Sequence, residues 1–403
     1  MPPDGSIVTL PFPDLKGSLE RARDYGEAVA RRHWESQFET WQEPILWGGD
    51  EIACPHCGTV GDLHPRGWQP RKLKSNFGEL AFRLRRATCG ACGVTSSPVP
   101  GLVGLAPRQR LAPDLEAKAA EWVGRLPYAA LSALLGHPVS ARTLRRAVLR
   151  MAERLEASEE GPWPTEGWVL LVDQSMVPIG PSHRGSHMTL ALVVTRRRDG
   201  PRPSLEVQVL LLDTEMPLPM ALKTLALLIE DNPPALILHD GDPTLVEGFA
   251  RLFPAIPRQR CLWHLERGLG FALWQDGLAK EDREPLQKEL RQALYAPDLD
   301  LAQAAYRRLA CDLRKTHLLH AAGFLEDAQP DAFTFRQALP ALTDAIRTLV
   351  AQSPVERQFR EVNRRADIGC RWSPEGLHAV LFLAIVQRLN AHNLPFLEDR
   401  QVA

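Results

Sequence analysis

Two constellations of side chains in this 403-residue chain have the types and spacing to do chemistry. The first is a pair of Cys-x-x-Cys-Gly units, Cys54-Pro55-His56-Cys57-Gly58 and Cys89-Gly90-Ala91-Cys92-Gly93, with Cys89 standing 32 positions after Cys57. Each unit lets a tight turn aim two thiolates at one ion, and its glycine lets the backbone fold beneath that ion. Together they predict a zinc ribbon in which Cys54, Cys57, Cys89 and Cys92 hold one structural Zn2+ tetrahedrally. Such a site is closed, so its role is structural rather than catalytic. The second constellation is acidic. Asp173 lies inside the apolar run Leu170-Leu171-Val172-Asp173-Gln174-Ser175, where an uncompensated carboxylate is costly. Asp240 follows the short apolar run Ala235–His239 in Asp240-Gly241-Asp242. If the two runs are neighbouring strands, two like charges meet, and a shared divalent cation resolves the repulsion. A third carboxylate on a helix packed against that edge would let two Mg2+ or Mn2+ ions bind and act on a phosphodiester. Glu356 fits that place, ranked from the residues alone only slightly above Glu361 or Glu375, and Asp242 could stand in for Asp240.

The elements that must position these groups can be read along the chain. Residues 1–50 open Pro-rich and continue as a helix over Leu15–Thr40. Residues 51–100 form the ribbon, with Leu80, Phe82 and Leu84 alternating against Arg83 and Arg85 as in a half-exposed strand. Arg66, Arg71, Lys72 and Lys74 are expected on a loop beside Trp68, available to phosphates. In residues 101–160, helices are expected over Leu111–Leu126 and Tyr128–Leu135, then a turn at Gly136-His137-Pro138-Val139. Ser140 is a good N-cap for a helix over Ala141–Leu155 that opens with Arg142, Thr143, Arg145 and Arg146. Two short helices of this kind resemble a helix-turn-helix whose second helix enters the major groove. Strands are expected at Trp168–Val177, His187–Thr195 and Leu205–Asp213, then a helix over Pro217–Glu230 and a strand at Ala235–His239. A helix over Thr244–Leu252 and a fifth strand at Arg258–Trp263 complete the series. That order is the order of a ribonuclease-H-like mixed sheet. Residues 266–350 read as helix throughout, an insertion, and residues 351–403 resume the core with helices over Pro354–Arg365 and Pro374–Asn390. The fold class expected is therefore multidomain α/β, with residues 161–265 and 351–403 forming the interrupted core.

Charge supports this division. The formal net charge is −1, yet residues 51–150 hold 15 Lys and Arg against 6 Asp and Glu, a balance of +9, while the remainder holds 33 against 43, a balance of −10. A basic module on an acidic body suits a DNA-binding part joined to a part with another task. The apolar share of 44% and charged share of 24% exclude wholesale disorder. The apolar stretch Leu377–Val386 is too short to span a bilayer, and Met1–Glu20 lacks a signal-peptide pattern, so a cytoplasmic, nucleoid-associated protein is expected.

Residues 165–390 resemble a DDE transposase of the mutator-like group. The resemblance rests on the first aspartate in an apolar strand, Asp173, on Asp240-Gly241 at a strand end, and on a C-x-x-H motif, Cys261-Leu262-Trp263-His264. Glu356 matches the third acidic residue, with separations of 67 and 116 residues. Gln352-Ser353-Pro354 departs from the Thr-Asn that many such transposases carry ahead of the glutamate. The resemblance implies a ribonuclease-H core interrupted by a helical insertion, with Asp173, Asp240 and Glu356 as metal ligands. His264 would orient a catalytic carboxylate or approach the scissile phosphate, with Cys261 packing beneath it as structural support. It implies metal-assisted hydrolysis at transposon ends and attack of the freed 3′-hydroxyl on target DNA. The partners implied are double-stranded DNA, both terminal repeats and target, and further copies of the chain in a homodimer or higher homo-oligomer. Arg357, Arg360 and Arg364, with Arg365, could neutralise phosphates near the site. A non-catalytic DNA-binding regulator or domesticated derivative, and a structure-selective nuclease of the same fold, are the alternative readings.

Overall fold

The computed structural model describes residues 15–47, 52–106, 108–135, 139–159, 167–179, 185–197, 204–338 and 372–392. The chain divides into two compact units, Met1–Met151 and Ala152–Ala403. No helix among the described residues is long and apolar enough to cross a membrane.

In the first unit, helix α1 (Leu15–Trp47) precedes a sheet of order β1-β2-β3, formed by β1 (Leu63–Ser75), β2 (Gly78–Cys89) and β3 (Thr95–Ser96). Strand β2 alternates as its sequence predicts, burying Leu80, Phe82 and Leu84. Its pairing with β3 covers only Ala87 and Thr88, which leaves the rest of that edge open. Helix α1 closes it. Glu35 Oε1, Glu39 Oε1 and Gln42 Oε1 accept the backbone N–H groups of Ala81, Arg83 and Arg85 at 2.6, 2.9 and 2.8 Å. Spacings of four and three residues place these acceptors on one helix face, and Gln42 Nε2 donates back to the Arg83 carbonyl at 2.8 Å. Phe38 and Leu46 of α1 share the core of the sheet with Leu73, Leu80 and Phe82. A strand edge that would otherwise pair with another chain is thus satisfied by side chains.

The loop expected at Arg66, Arg71, Lys72 and Lys74 is instead β1, antiparallel to β2 along almost its whole length. Pro65, Gly67 and Pro70 hide the strand in the sequence, because they break its alternation, and the register shifts between Pro65 and Gly67. Two of the four basic residues are engaged inside the module: Arg71 donates to the Gln109 carbonyl at 2.7 Å, and Lys72 pairs across the hairpin with Glu79 at 2.6 Å. Then follow α2 (Val99–Leu102), α3 (Pro113–Val123), α4 (Tyr128–Leu134) and α5 (Ala141–Glu159). Ser140 Oγ accepts the Thr143 N–H at 3.2 Å, the cap expected of it.

The second unit is built on a five-stranded sheet of order β6-β5-β4-β7-β8. Strands β4 (Val169–Pro178), β5 (Gly185–Arg197) and β6 (Ser204–Asp213) are antiparallel, while β7 (Leu236–His239) and β8 (Arg258–Arg260) run parallel to β4. Helices α6 (Leu218–Ile229) and α7 (Pro243–Leu252) cover one face, burying Leu170, Val172, Ile237, Leu222 and Phe249 in one cluster. Both faces of β4 are buried, so its sequence reads as a continuous apolar run. Strand β8 is shorter than the expected Arg258–Trp263, because Leu262 and Trp263 already belong to α8 (Leu262–Gln275), which Cys261 caps. Then come α9 (Lys280–Leu294), α10 (Leu299–Lys315), α11 (Leu319–Ala328), a 3-10 turn (Gln329–Asp331) and α12 (Thr334–Ala338), with no strand among the described residues from 262 to 338. Buried Gln259 of β8 brings the chain back to the sheet: its Nε2 donates to Ala332 O at 3.1 Å and its Oε1 accepts Phe335 N–H at 3.0 Å. Helix α13 (Pro374–His392) packs on β6.

Candidate active site

Strand register brings the two aspartates together. Leu171 pairs with Leu238 and Val172 with His239, so Asp173 and Asp240 lie one step past the last parallel pair, on neighbouring strands. Side chains alternate along a strand, so Asp173, between Val172 and Gln174 of β4, faces the side of the sheet opposite α6 and α7, and Asp240 follows β7 beside it. Asp173 is 5% exposed. Cys261 follows β8 at the same level, with its N–H on the His239 carbonyl at 2.8 Å. Its thiol reports the field there. Burial pushes it up to about 12, and the negative charges of both Asp173 and Asp240 add to the shift. Two carboxylates whose charges both reach one buried thiol make a donor set that fits a hard divalent cation.

Local hydrogen bonds fix the carboxylates. Asp173 Oδ1 accepts the Gln174 N–H at 2.7 Å, and Gln174 Nε2 is in turn held by Thr189 Oγ1 at 3.0 Å. Asp240 Oδ1 accepts the Asp242 N–H at 2.8 Å across Gly241. Gly241 has φ +96, and a Cβ there would stand 2.9 Å from Cζ and Nε of Arg260. Both the backbone conformation and the stacked guanidinium therefore require the glycine. Asp242 is committed elsewhere: it caps α7, accepting Thr244 N–H at 2.8 Å and Leu245 N–H at 3.3 Å. His264 lies in the first turn of α8, its ring edge-on to Trp263 at 4.8 Å, so Cys261 and His264 both emerge where α8 leaves the sheet. Glu356, Glu361, Arg357, Arg360, Arg364 and Arg365 lie outside the described residues. Glu375 sits in the first turn of α13.

A buried polar layer behind this edge was not anticipated from the sequence. His239 Nε2 stands 3.4 Å from the Asp331 carboxylate, joining the strand that carries Asp240 to the 3-10 turn. Arg260 is buried with its guanidinium 6.0 Å from the Phe324 ring. Gln259, Arg260 and Asp331 are polar residues in short elements, and the one available signal was Arg258-Gln259-Arg260 inside a stretch that pairs as a buried strand.

The four cysteines assemble as expected. Their sulfurs all lie within 4.8 Å of one another, with Cys54 to Cys92 at 3.9 Å and Cys57 to Cys89 at 3.7 Å. A tetrahedron of thiolates around zinc, with Zn–S near 2.3 Å, has edges of about 3.8 Å. Gly58 and Gly93 close equivalent knuckles at φ +75 and +69, each N–H returning to the carbonyl of the first cysteine, at 2.9 and 2.8 Å. Hydrogen bonds to Thr59 pull the Cys57 thiol down to about 6, toward the thiolate that a metal needs. The cluster fits a structural zinc. On α5, Arg142 and Arg146 are exposed, while Thr143 and Arg145 are partly buried.

A family model described as Transposase, Mutator family, matches residues 126–388, which includes the whole five-stranded sheet and the helices that follow it. Among curated proteins no match is found. The match spans well over half of the sequence and contains Asp173, Asp240, Cys261, His264 and Glu356: the chain belongs to the Mutator family of transposases.

Proposed function

We propose that this transposase cuts DNA at the ends of its element and joins the freed 3′-hydroxyl to target DNA, using Asp173, Asp240 and Glu356 as one carboxylate set. The observation that carries the reading is the register of β4 and β7, which brings two carboxylates side by side at the carboxyl edge of parallel strands. The strand order β6-β5-β4-β7-β8 supports a ribonuclease-H-like core, with the helical region after β8 as an insertion. Two Mg2+ or Mn2+ ions held by these carboxylates would activate the attacking oxygen and stabilise the leaving one.

The chain's own groups divide the remaining work. The backbone N–H groups of Gln174 and Asp242 hold the carboxylates in orientation before substrate arrives. Cys261, its thiol pushed up to about 12, stays protonated at neutral pH and packs as an uncharged group beneath them. His264, at the start of α8, can orient a carboxylate or meet the scissile phosphate, and the partial positive charge of the helix start favours an anion there. In the first unit, Ser140 caps a helix that presents Arg142, Thr143, Arg145 and Arg146, which supports a helix-turn-helix formed by α4 and α5. The zinc ribbon would add Arg66 and Lys74 as phosphate contacts, and Arg357, Arg360 and Arg364 would neutralise DNA near the carboxylates. Cutting two ends together calls for a homodimer or larger assembly.

The test is to incubate the zinc-loaded full chain with DNA carrying the sequences that flank its gene, with Mg2+ or Mn2+, and map the nicked ends. Metal-dependent cuts at defined ends are expected, lost in Glu356→Gln with DNA binding retained. Binding without cleavage in both proteins would refute the enzymatic reading and favour a DNA-binding regulator.

A further inference from the structure

Helix α8 starts at the carboxylate edge, buries Leu262, Leu265, Leu269 and Leu273 on one side, and carries an unusual row on the other. Trp263, Arg267, Phe271 and Trp274 are spaced by four, four and three residues, which places them within an arc of about 80°. Phe271 and Trp274 are each 57% exposed, with ring centroids 5.4 Å apart. The Arg267 guanidinium lies 5.2 Å over the Trp263 ring, and no carboxylate among the described residues pairs with it. Trp263 in turn abuts His264. Large aromatic surface left in water at a site next to candidate catalytic groups marks a binding face.

We propose that this row is a stacking platform for single-stranded DNA, taking the unpaired nucleotides beside the strand being cut. Every group in the row has a flat face. Bases stack on aromatic rings and guanidinium planes without regard to sequence, and the arginine also neutralises phosphate. The row runs about 16 Å from Trp263 to Trp274, the length of four to five nucleotides at roughly 3.4 Å each. A duplex hides its base faces, so the strand must be unpaired, a state reached where the duplex frays beside a cut end. A second copy of the chain is a poorer occupant. Two-fold pairing would lay the row on itself, and the row holds a cation with no anion to answer it. The proposal rests on the reading above for DNA as substrate and for a cut strand, while the binding it predicts can be read without cleavage.

The test uses the zinc-loaded full chain without added Mg2+, so that no cleavage is needed, and follows the anisotropy of labelled oligothymidylate and of a blunt duplex. A Phe271→Ala/Trp274→Ala variant is expected to bind the single strand roughly ten-fold or more weakly, with duplex binding and thermal melting unchanged. Trp274→Tyr, which keeps a ring, should restore much of the loss to a chain that also retains Phe271. Single-strand binding equal to wild type in the double variant overturns the proposal. So does a fall in sedimenting mass with single-strand binding intact, which would assign the row to a contact between copies. Failure of the cleavage reading would appear separately, as absence of cuts under Mg2+ with these affinities unaffected.

Discussion

The four-cysteine cluster fits a structural metal, the aspartate pair is proposed to hold a catalytic one, and the two are assembled in opposite ways. The cysteines come from two knuckles, each closed by its own positive-φ glycine, and they bring four donors within 4.8 Å of one another. The aspartates stand 67 residues apart in sequence and meet only because β4 and β7 pair in parallel. A saturated tetrahedral site holds a fold together, while a partly assembled carboxylate site keeps positions for reacting oxygens. The same comparison separates local from long-range specification. A knuckle can be recognised in five residues, but the carboxylate pair exists only after a sheet has formed.

The comparison can be broken most forcefully by removing zinc. Chelation, or Cys54→Ser, is expected to unfold the ribbon, since structural zinc supplies on the order of 10 kcal/mol. Limited proteolysis should then cut within residues 52–106 while the helices of residues 262–338 stay protected. Equal loss of protection in both regions would show that the two sites are not independent.

Asp173→Asn should act in the reverse sense. Cleavage is expected to fall by on the order of a hundred- to a thousand-fold, the scale of losing one preorganised electrostatic group. Thermal stability should hold or rise, because one of two crowded charges is gone. A melting temperature lowered by several degrees would mean that Asp173 serves the fold.

Glycine replacements sharpen the contrast further. Gly58→Ala and Gly93→Ala meet nothing within 4 Å, so each should cost only the positive-φ penalty of about 1 to 2 kcal/mol. Gly241→Ala carries the same penalty and must also displace Arg260, so its cost should exceed theirs in parallel denaturant titrations.

The smallest effect concerns the α1 latch on β2. The hydrogen bond and charge of Arg83 lower the Glu39 carboxyl below 4.5. Its contribution is therefore present above that unfolded value and lost as pH falls through the lower folded one. About 1 kcal/mol is at stake. The melting temperature of wild type should fall toward that of Glu39→Gln between pH 5 and 3, and a constant gap between the two would dismiss the latch.

How much of this could be read in the sequence follows the same division. Cys54, Cys57, Cys89 and Cys92 were legible because their geometry is local. Strands β4 to β7 were legible as apolar runs, and Asp173 and Asp240 by their placement within and after such runs. Strand β1 was not, because Pro65, Gly67 and Pro70 erase its alternation and its pairing comes entirely from β2. Glu35 and Glu39 looked like an ordinary charged helix face and Gln42 lay beyond the helix expected over Leu15–Thr40, since nothing local says that a bare strand edge lies opposite. Cys261 was placed in a strand because its apolar neighbours fit either element, and only the end of pairing at Arg260 makes it the residue that precedes α8. His239, Gln259 and Asp331 form a polar layer joined across more than 70 residues, which no short pattern announces.

The central claim is that Asp173 and Asp240 share a divalent cation, and Mn2+ titration calorimetry on the zinc-loaded full chain tests it most directly. Mn2+ binding is predicted in the wild-type protein and lost in both Asp173→Asn and Asp240→Asn, with zinc content unchanged. Equal Mn2+ binding by all three proteins would contradict it.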